Sequence, residues 1–201
     1  MIEAAVRKRL GEFTLDAAVS DGGFVCLAGG NGAGKTTFMR IMAGLMKPDS
    51  GRVKINDRDV TDLPVERRGV VMVNPDSAIE SMEVDAHLGW GARLKRLETP
   101  AERLAQVKRE LCIDFRGPVW KLSLGMRERV SLATALLSAP AAIMVDEAFS
   151  NLHGREDFVS AYRKLASDAG IDVVFSTQNA ADGKLAQHLY WIEDGRAAKR
   201  F

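Results

Sequence analysis

The sequence predicts an α/β fold: a largely parallel sheet flanked by helices, with an added helical lobe. Three observations predict it. The short apolar runs Phe24–Ala28, Val70–Val73 and Ala142–Val145 read as strands buried on both faces. Helical patterns alternate with these runs, the order that a parallel sheet requires. Between about Asp76 and Trp120 the strand pattern vanishes and only helical periodicity remains.

In chain order, Asp21-Gly22-Gly23 is a turn that opens onto the first apolar run. A glycine-rich loop follows at once. Residues 35–45 then read as a helix, with Phe38, Ile41 and Met42 on one face and Gly44 near its end. Val53-Lys54-Ile55 before Asn56-Asp57 reads as an edge strand and turn. Asn74-Pro75 stops the next strand, and residues 84–97 are helical in pattern. Thr99-Pro100-Ala101-Glu102 predicts a capping box with proline at the first helical position. Leu104, Val107 and Leu111 mark the buried stripe of that helix. Ser123 stands where it can cap a helix running through Leu137. Further on, Phe158, Ala161, Tyr162 and Leu165 line one helix face, and residues 172–176 form a strand. Residues 189–192 and 197–199 flank the turn signal Glu193-Asp194-Gly195-Arg196.

At 201 residues the chain is long enough for one domain with a substantial core. Its hydrophobic share of 46% and charged share of 27% are ordinary for a soluble protein. A net charge of +1 argues against a nucleic-acid partner, which would show a basic excess. The runs Arg7-Lys8-Arg9 and Arg67-Arg68 read as solvated faces. Cys26 reads as a small core residue, and Cys112 as packed at the end of a helical pattern. Neither has a CxxC or histidine partner, which argues against metal binding and for a reducing, cytosolic setting. No apolar run approaches the length that spans a bilayer, and the N-terminus lacks the order of a signal peptide. Any work at a membrane is therefore expected to go through a partner.

The chemistry starts at Gly29-Gly30-Asn31-Gly32-Ala33-Gly34-Lys35-Thr36. In the pattern GxxxxGK[ST] the glycines let backbone N–H groups curl around phosphate oxygens, and the following helix adds its positive end. This reads as a site for ATP and Mg²⁺. Lys35 is expected on the β- and γ-phosphates, the Thr36 hydroxyl on Mg²⁺, and Thr37 beside them in the first helical turn. Ala142–Val145 then ends in Asp146-Glu147. Asp146 is expected near Mg²⁺, and Glu147 facing the attacking water as general base.

Leu122-Ser123-Leu124-Gly125-Met126-Arg127-Glu128-Arg129-Val130 precedes the acidic strand, and Ser150-Asn151-Leu152 follows it. This segment resembles the LSGGQ signature of ABC-transporter ATPases. The order of phosphate loop, helical lobe, signature and acidic strand is also that family's, over essentially the whole chain. The resemblance implies a P-loop nucleoside triphosphatase core at 1–75 and 120–201, with a small antiparallel β-region near the N-terminus, and a helical subdomain at 76–119. It implies two subunits, alike or different, that sandwich two ATP molecules. Ser123 and the Gly125 backbone would contact the γ-phosphate held by the other subunit. A transmembrane permease would dock on the helical lobe beside the 74–79 loop, which puts the chain on the cytoplasmic face of the membrane. Residues 6–13 resemble the start of importer ATPases of the molybdate and related oxyanion class.

Four positions depart from the family. Its glutamine loop falls at Val73-Asn74-Pro75-Asp76, which has no glutamine; Asn74 and Asp76 each offer an oxygen. Gln178 stands for its switch histidine, and can hydrogen-bond the γ-phosphate but carries no proton at neutral pH. His153 replaces an aspartate and reads as an exposed loop residue, whereas His87 and His188 read as structural. Near the N-terminus the only aromatic ring placed for adenine is Phe13, which reads as a core strand residue; Arg9 and Leu10 are the alternatives. The expectation is an ATPase, of ordinary or slowed turnover, that powers a membrane transporter. The competing readings are an ATP-driven switch outside transport and a pseudo-ATPase that binds without turnover, or works beside a competent partner.

Overall fold

Strands and helices form where the apolar patterns call for them. The computed structural model describes residues 1–201. The elements are β1 (Ile2–Leu10), β2 (Phe13–Asp21), β3 (Phe24–Ala28), α1 (Lys35–Ala43), β4 (Ser50–Ile55), β5 (Arg58–Asp59), β6 (Val70–Val73), α2 (Val84–Leu94) and α3 (Ala101–Glu110). They continue with α4 (Leu124–Leu137), β7 (Ala142–Val145), α5 (Arg155–Asp168), β8 (Asp172–Thr177), β9 (His188–Glu193) and β10 (Arg196–Lys199). No helix is long and apolar enough to cross a membrane. The chain divides into two compact units. The first holds residues 1–72, 141–146 and 172–201, and the second 73–140 and 147–171.

The first unit contains two sheets. One is antiparallel, in the order β2-β1-β4-β5. Its alternation puts Ile2, Ala4, Val6, Leu15, Ala17, Val19, Val53 and Ile55 on the buried face. The other runs β10-β9-β3-β8-β7-β6. In it β3 pairs in parallel with both β8 and β9, and β7 with β8, while β10 returns antiparallel to β9. Phe38, Met39, Ile41 and Met42 of α1 complete this core, each contributing roughly 1.5–3 kcal/mol by burial. The register Ala28↔Thr177 and Val145↔Phe175 brings the ends of β3, β7 and β8 to one edge of the sheet. In open α/β sheets, ligands bind outside such carboxyl ends.

The second unit is helical, and its strand pairing is limited to a single bridge, Glu83 to Pro118. It contains the expected lobe 76–119 but also takes in α4 and α5. The reason is burial. From Val130 to Leu137 every residue of α4 is buried, so this helix is a central rod and not an amphipathic cover. Phe149, Phe158 and Tyr162 form a ring cluster with centroids 5.5–6.4 Å apart, and the Tyr162 hydroxyl donates to the Leu132 carbonyl at 3.3 Å.

Several expectations are corrected. The capping box at Thr99 does not form: Pro100 takes the N-cap position in extended geometry, with no side-chain cap. Arg68 is not a solvated residue. It is 6% exposed, and its guanidinium donates to the Ile41, Met42, Leu63 and Thr61 carbonyls. The last carbonyls of a helix have no internal partner, so a cation at the end of α1 is favoured there. Cys112 is exposed, because it occupies the left-handed position just past α3, between the buried Leu111 and Ile113.

Candidate nucleotide site

The phosphate loop leaves β3 and turns directly into α1. Its last glycine has a steric reason. Gly34 has φ 109°, and a Cβ there would lie 2.9 Å from Leu15 Cδ1 and 3.0 Å from Phe13 Cζ. Only glycine lets the chain turn against that floor. No side chain caps the N-terminus of α1, the end of a helix whose dipole favours an anion. Lys35 is 5% exposed, and its Nζ donates to the carbonyls of Gly29 and Gly30, both at 2.8 Å. The ammonium thus lies across the loop that its backbone helps to shape. Gly30, Asn31 and Gly32 are exposed, while Ala33, Thr36 and Thr37 are half-buried. The hairpin tip between β9 and β10 braces the loop through Gly195 N–H to the Ala33 carbonyl, 3.1 Å.

Beside Lys35, the Thr36 hydroxyl donates to Asp146 Oδ1 at 3.1 Å. The Ser176 hydroxyl donates to the same oxygen at 2.7 Å. Asp146 is 8% exposed, so these two donors hold a carboxylate that is nearly out of water. Hydroxyl and carboxylate are hard oxygen donors, the set Mg²⁺ accepts while keeping waters and substrate phosphates as its other ligands. Thr36 and Asp146 therefore fit this ion. The sequence reading missed Ser176; the available signal was a pair of hydroxyls, Ser176-Thr177, ending an otherwise apolar strand.

A cleft of about 310 Å³ opens beside the loop, lined by residues 30–33, Phe13 and residues 191–194. Phe13 is thus both packed on the core and a wall of this cleft, and Arg9 and Leu10 do not line it. Gln178 is exposed, one residue past the end of β8.

The other singled-out residues belong to the second unit. Ser123 is exposed and caps α4, accepting from the Met126 N–H at 3.3 Å. Gly125 lies in the first turn, and a Cβ there would meet the Asn151 carbonyl at 2.8 Å. Glu147 has φ 59°, in the left-handed region that costs a non-glycine residue about 1 kcal/mol or more. The Ser150 N–H closes a turn on its carbonyl at 3.1 Å. In the 74–77 turn, Asn74 Oδ1 accepts from the Asp76 N–H and the Ser77 hydroxyl, both at 3.0 Å. The exposed carboxylate of Asp76 is the less committed oxygen of the two. His153 is exposed, its carbonyl accepting from Arg129 at 2.6 Å. His87 is buried; Ile79 N–H donates to Nε2 at 3.0 Å, so the proton sits on Nδ1, 2.8 Å from the Thr134 hydroxyl. In the first unit, His188 stands 3.5 Å from Asp21.

Known proteins share this sequence and this architecture. The sulfate/thiosulfate import ATP-binding protein of Mycobacterium bovis is 31% identical over 209 residues, which take in 98% of this chain and 59% of that protein. The molybdate/tungstate import ATP-binding protein of Archaeoglobus fulgidus is 37% identical over 155 residues, 74% of this chain and 64% of that one. The chain spans about six-tenths of the length of these relatives. A solved structure described as the ATP-binding subunit of an ABC transporter superposes with a TM-score of 0.84 at 24% identity, covering 99% of this chain and 89% of that one. That likeness shows the fold. The profile of the ABC transporter family matches residues 14–150, more than half of the chain, and takes in the phosphate loop, the Ser123 turn and Asp146. The chain belongs to the ABC transporter family.

Proposed function

We propose that this chain is the ATP-binding and ATP-hydrolysing subunit of a membrane transporter, and that ATP closes two such subunits on each other. The observation that carries the reading is the convergence of Lys35, Thr36, Ser176 and the buried Asp146 at the strand ends, beside an uncapped helix N-terminus. Lys35 and the loop N–H groups bind the phosphates. Thr36 and Asp146 hold Mg²⁺, which neutralises phosphate charge when bound. Glu147 orients the attacking water and takes its proton. Adenine rests in the cleft against Phe13. Ser123 and the Gly125 N–H, displayed at the start of α4, complete the partner's site.

The curated relatives are named for import, and this supports an inward-directed motor docked on a permease at the cytoplasmic face. Their cargoes belong to longer proteins and are not carried over. Gln178 and the committed Asn74 amide favour slow turnover, either alone or beside a better-equipped partner subunit.

Steady-state ATPase assays of wild type and Glu147→Gln test the proposal. Turnover is expected to fall by about 100-fold or more in the variant, with ATP-dependent dimers accumulating in light scattering. Equal rates in the two proteins would remove Glu147 from its role.

A further inference from the structure

Glu128 has no part in the site described so far, yet it is 1% exposed in the second turn of α4. A buried carboxyl is costly unless something holds it. Its Oε1 accepts from Asn151 Nδ2 at 2.8 Å, and the Asn151 backbone N–H also serves this carboxyl. Its Oε2 has no hydrogen-bond partner. Burial pushes this carboxyl up from its ordinary range, against the lowering effect of the Asn151 contacts. Asn151 is itself exposed, so burial does not fix it.

Two further contacts join the same helix to the same loop. Gly125 is pressed against the Asn151 carbonyl, where a Cβ would come within 2.8 Å. Arg129 donates to the His153 carbonyl at 2.6 Å. Just upstream, the turn closed by Ser150 N–H on the Glu147 carbonyl holds Glu147 in its left-handed conformation.

We propose that Glu128 is a positioning residue for ATP hydrolysis: by clasping Asn151 it fixes the turn that carries Glu147 onto the helix that carries Ser123 and Gly125. A neutral amide in place of the carboxyl keeps an acceptor for Asn151, whereas an apolar side chain offers none and releases the exposed Asn151 to water. The proposal rests on the ATPase reading, and the experiment separates the two. Steady-state kcat and KM are measured for wild type, Glu128→Gln and Glu128→Leu, alongside amide hydrogen exchange of residues 150–154. Glu128→Gln is expected within about twofold of wild type. Glu128→Leu is expected to lose roughly tenfold in kcat with KM held within about twofold, and to exchange severalfold faster in the loop. Adding Asn151→Ala to Glu128→Leu should lower kcat no further, because the clasp is already gone. A Glu128→Leu protein with wild-type kcat and wild-type exchange overturns the proposal. So does a Glu128→Gln protein as impaired as Glu128→Leu. If wild type turns over no ATP, the ATPase reading fails, and the exchange data decide the clasp: unchanged rates in Glu128→Leu overturn it, and faster rates there but not in Glu128→Gln sustain it.

Discussion

The two units carry their functional groups in opposite ways. In the first, the polar groups face one another: Lys35 lies on the Gly29 and Gly30 carbonyls, and Asp146 is gripped by Thr36 and Ser176. In the second, Ser123 is exposed and bonded only into its own helix cap, and Gly125 is held by contact with Asn151. One arrangement is built to hold a charged ligand from a single chain. The other displays a hydroxyl and a helix start that, under the proposal above, serve the nucleotide of a second subunit. That difference separates binding from turnover, and mutations can test each side alone.

The largest effect belongs to the first unit. Lys35→Ala removes the ammonium that the proposal places on phosphate and leaves the carbonyls of Gly29 and Gly30 without their donor. ATP affinity, measured by calorimetry, is expected to fall by roughly 10- to 100-fold, since a hydrogen bond to a charged group is worth about 1.5–3 kcal/mol. Ser123→Arg attacks the other unit. Nucleotide affinity of the monomer should stay within about twofold, while ATP-driven dimers and turnover fall by about tenfold or more, because a bulky cation then occupies the surface onto which the proposal closes a second subunit. An equal loss of affinity in both variants would dissolve the contrast.

A smaller effect tests the departure at the end of β8. Gln178→His installs a side chain that exchanges a proton near neutral pH. Turnover should rise by a few-fold, with KM unchanged. A flat response would mean that the exposed Gln178 already supplies what the reaction needs there.

Much of this contrast was legible in the sequence, and the exceptions have physical causes. The runs Phe24–Ala28, Val70–Val73 and Ala142–Val145 match the strands residue for residue, because a fully apolar run between turn residues has little other use. The Ser123 cap was readable for the same local reason: a hydroxyl three residues before a free N–H. Arg68, Cys112 and Thr99 were misread because their fate is set by distant or backbone partners. Four carbonyls in the first unit claim Arg68, a left-handed turn points Cys112 outward, and Pro100 displaces Thr99 from the cap. At the site, the phosphate loop and the acidic strand announced themselves by spacing. Ser176, Glu128 and the Asn74 turn did not, since each acts through a partner that no motif specifies.

A last effect is read in stability and lies within the second unit, where burial shifts two groups in opposite directions. Burial holds the His87 imidazole below the ordinary histidine pKa. The folded state therefore resists the proton that the unfolded chain accepts. This contribution to stability is complete above about pH 6.5 and is lost as pH falls through the folded value. Protonation also destroys the Nε2 acceptor of Ile79 N–H, so acid loosens the loop at Ile79 first. Glu128 runs the other way. Its raised pKa makes its contribution complete below the ordinary carboxylate range and diminishing as pH rises through the folded value. His87→Phe should lower the melting temperature at pH 8 by an amount equivalent to about 1–2 kcal/mol, the cost of removing the acceptor of the partly buried Ile79 N–H and the partner of the Thr134 hydroxyl. The gap to wild type should narrow as the pH is taken from 7 to 5, because the variant has no imidazole to charge. A gap that stays constant across that range would mean that His87 is not the titrating group, and that acid acts on this unit through its carboxylates alone.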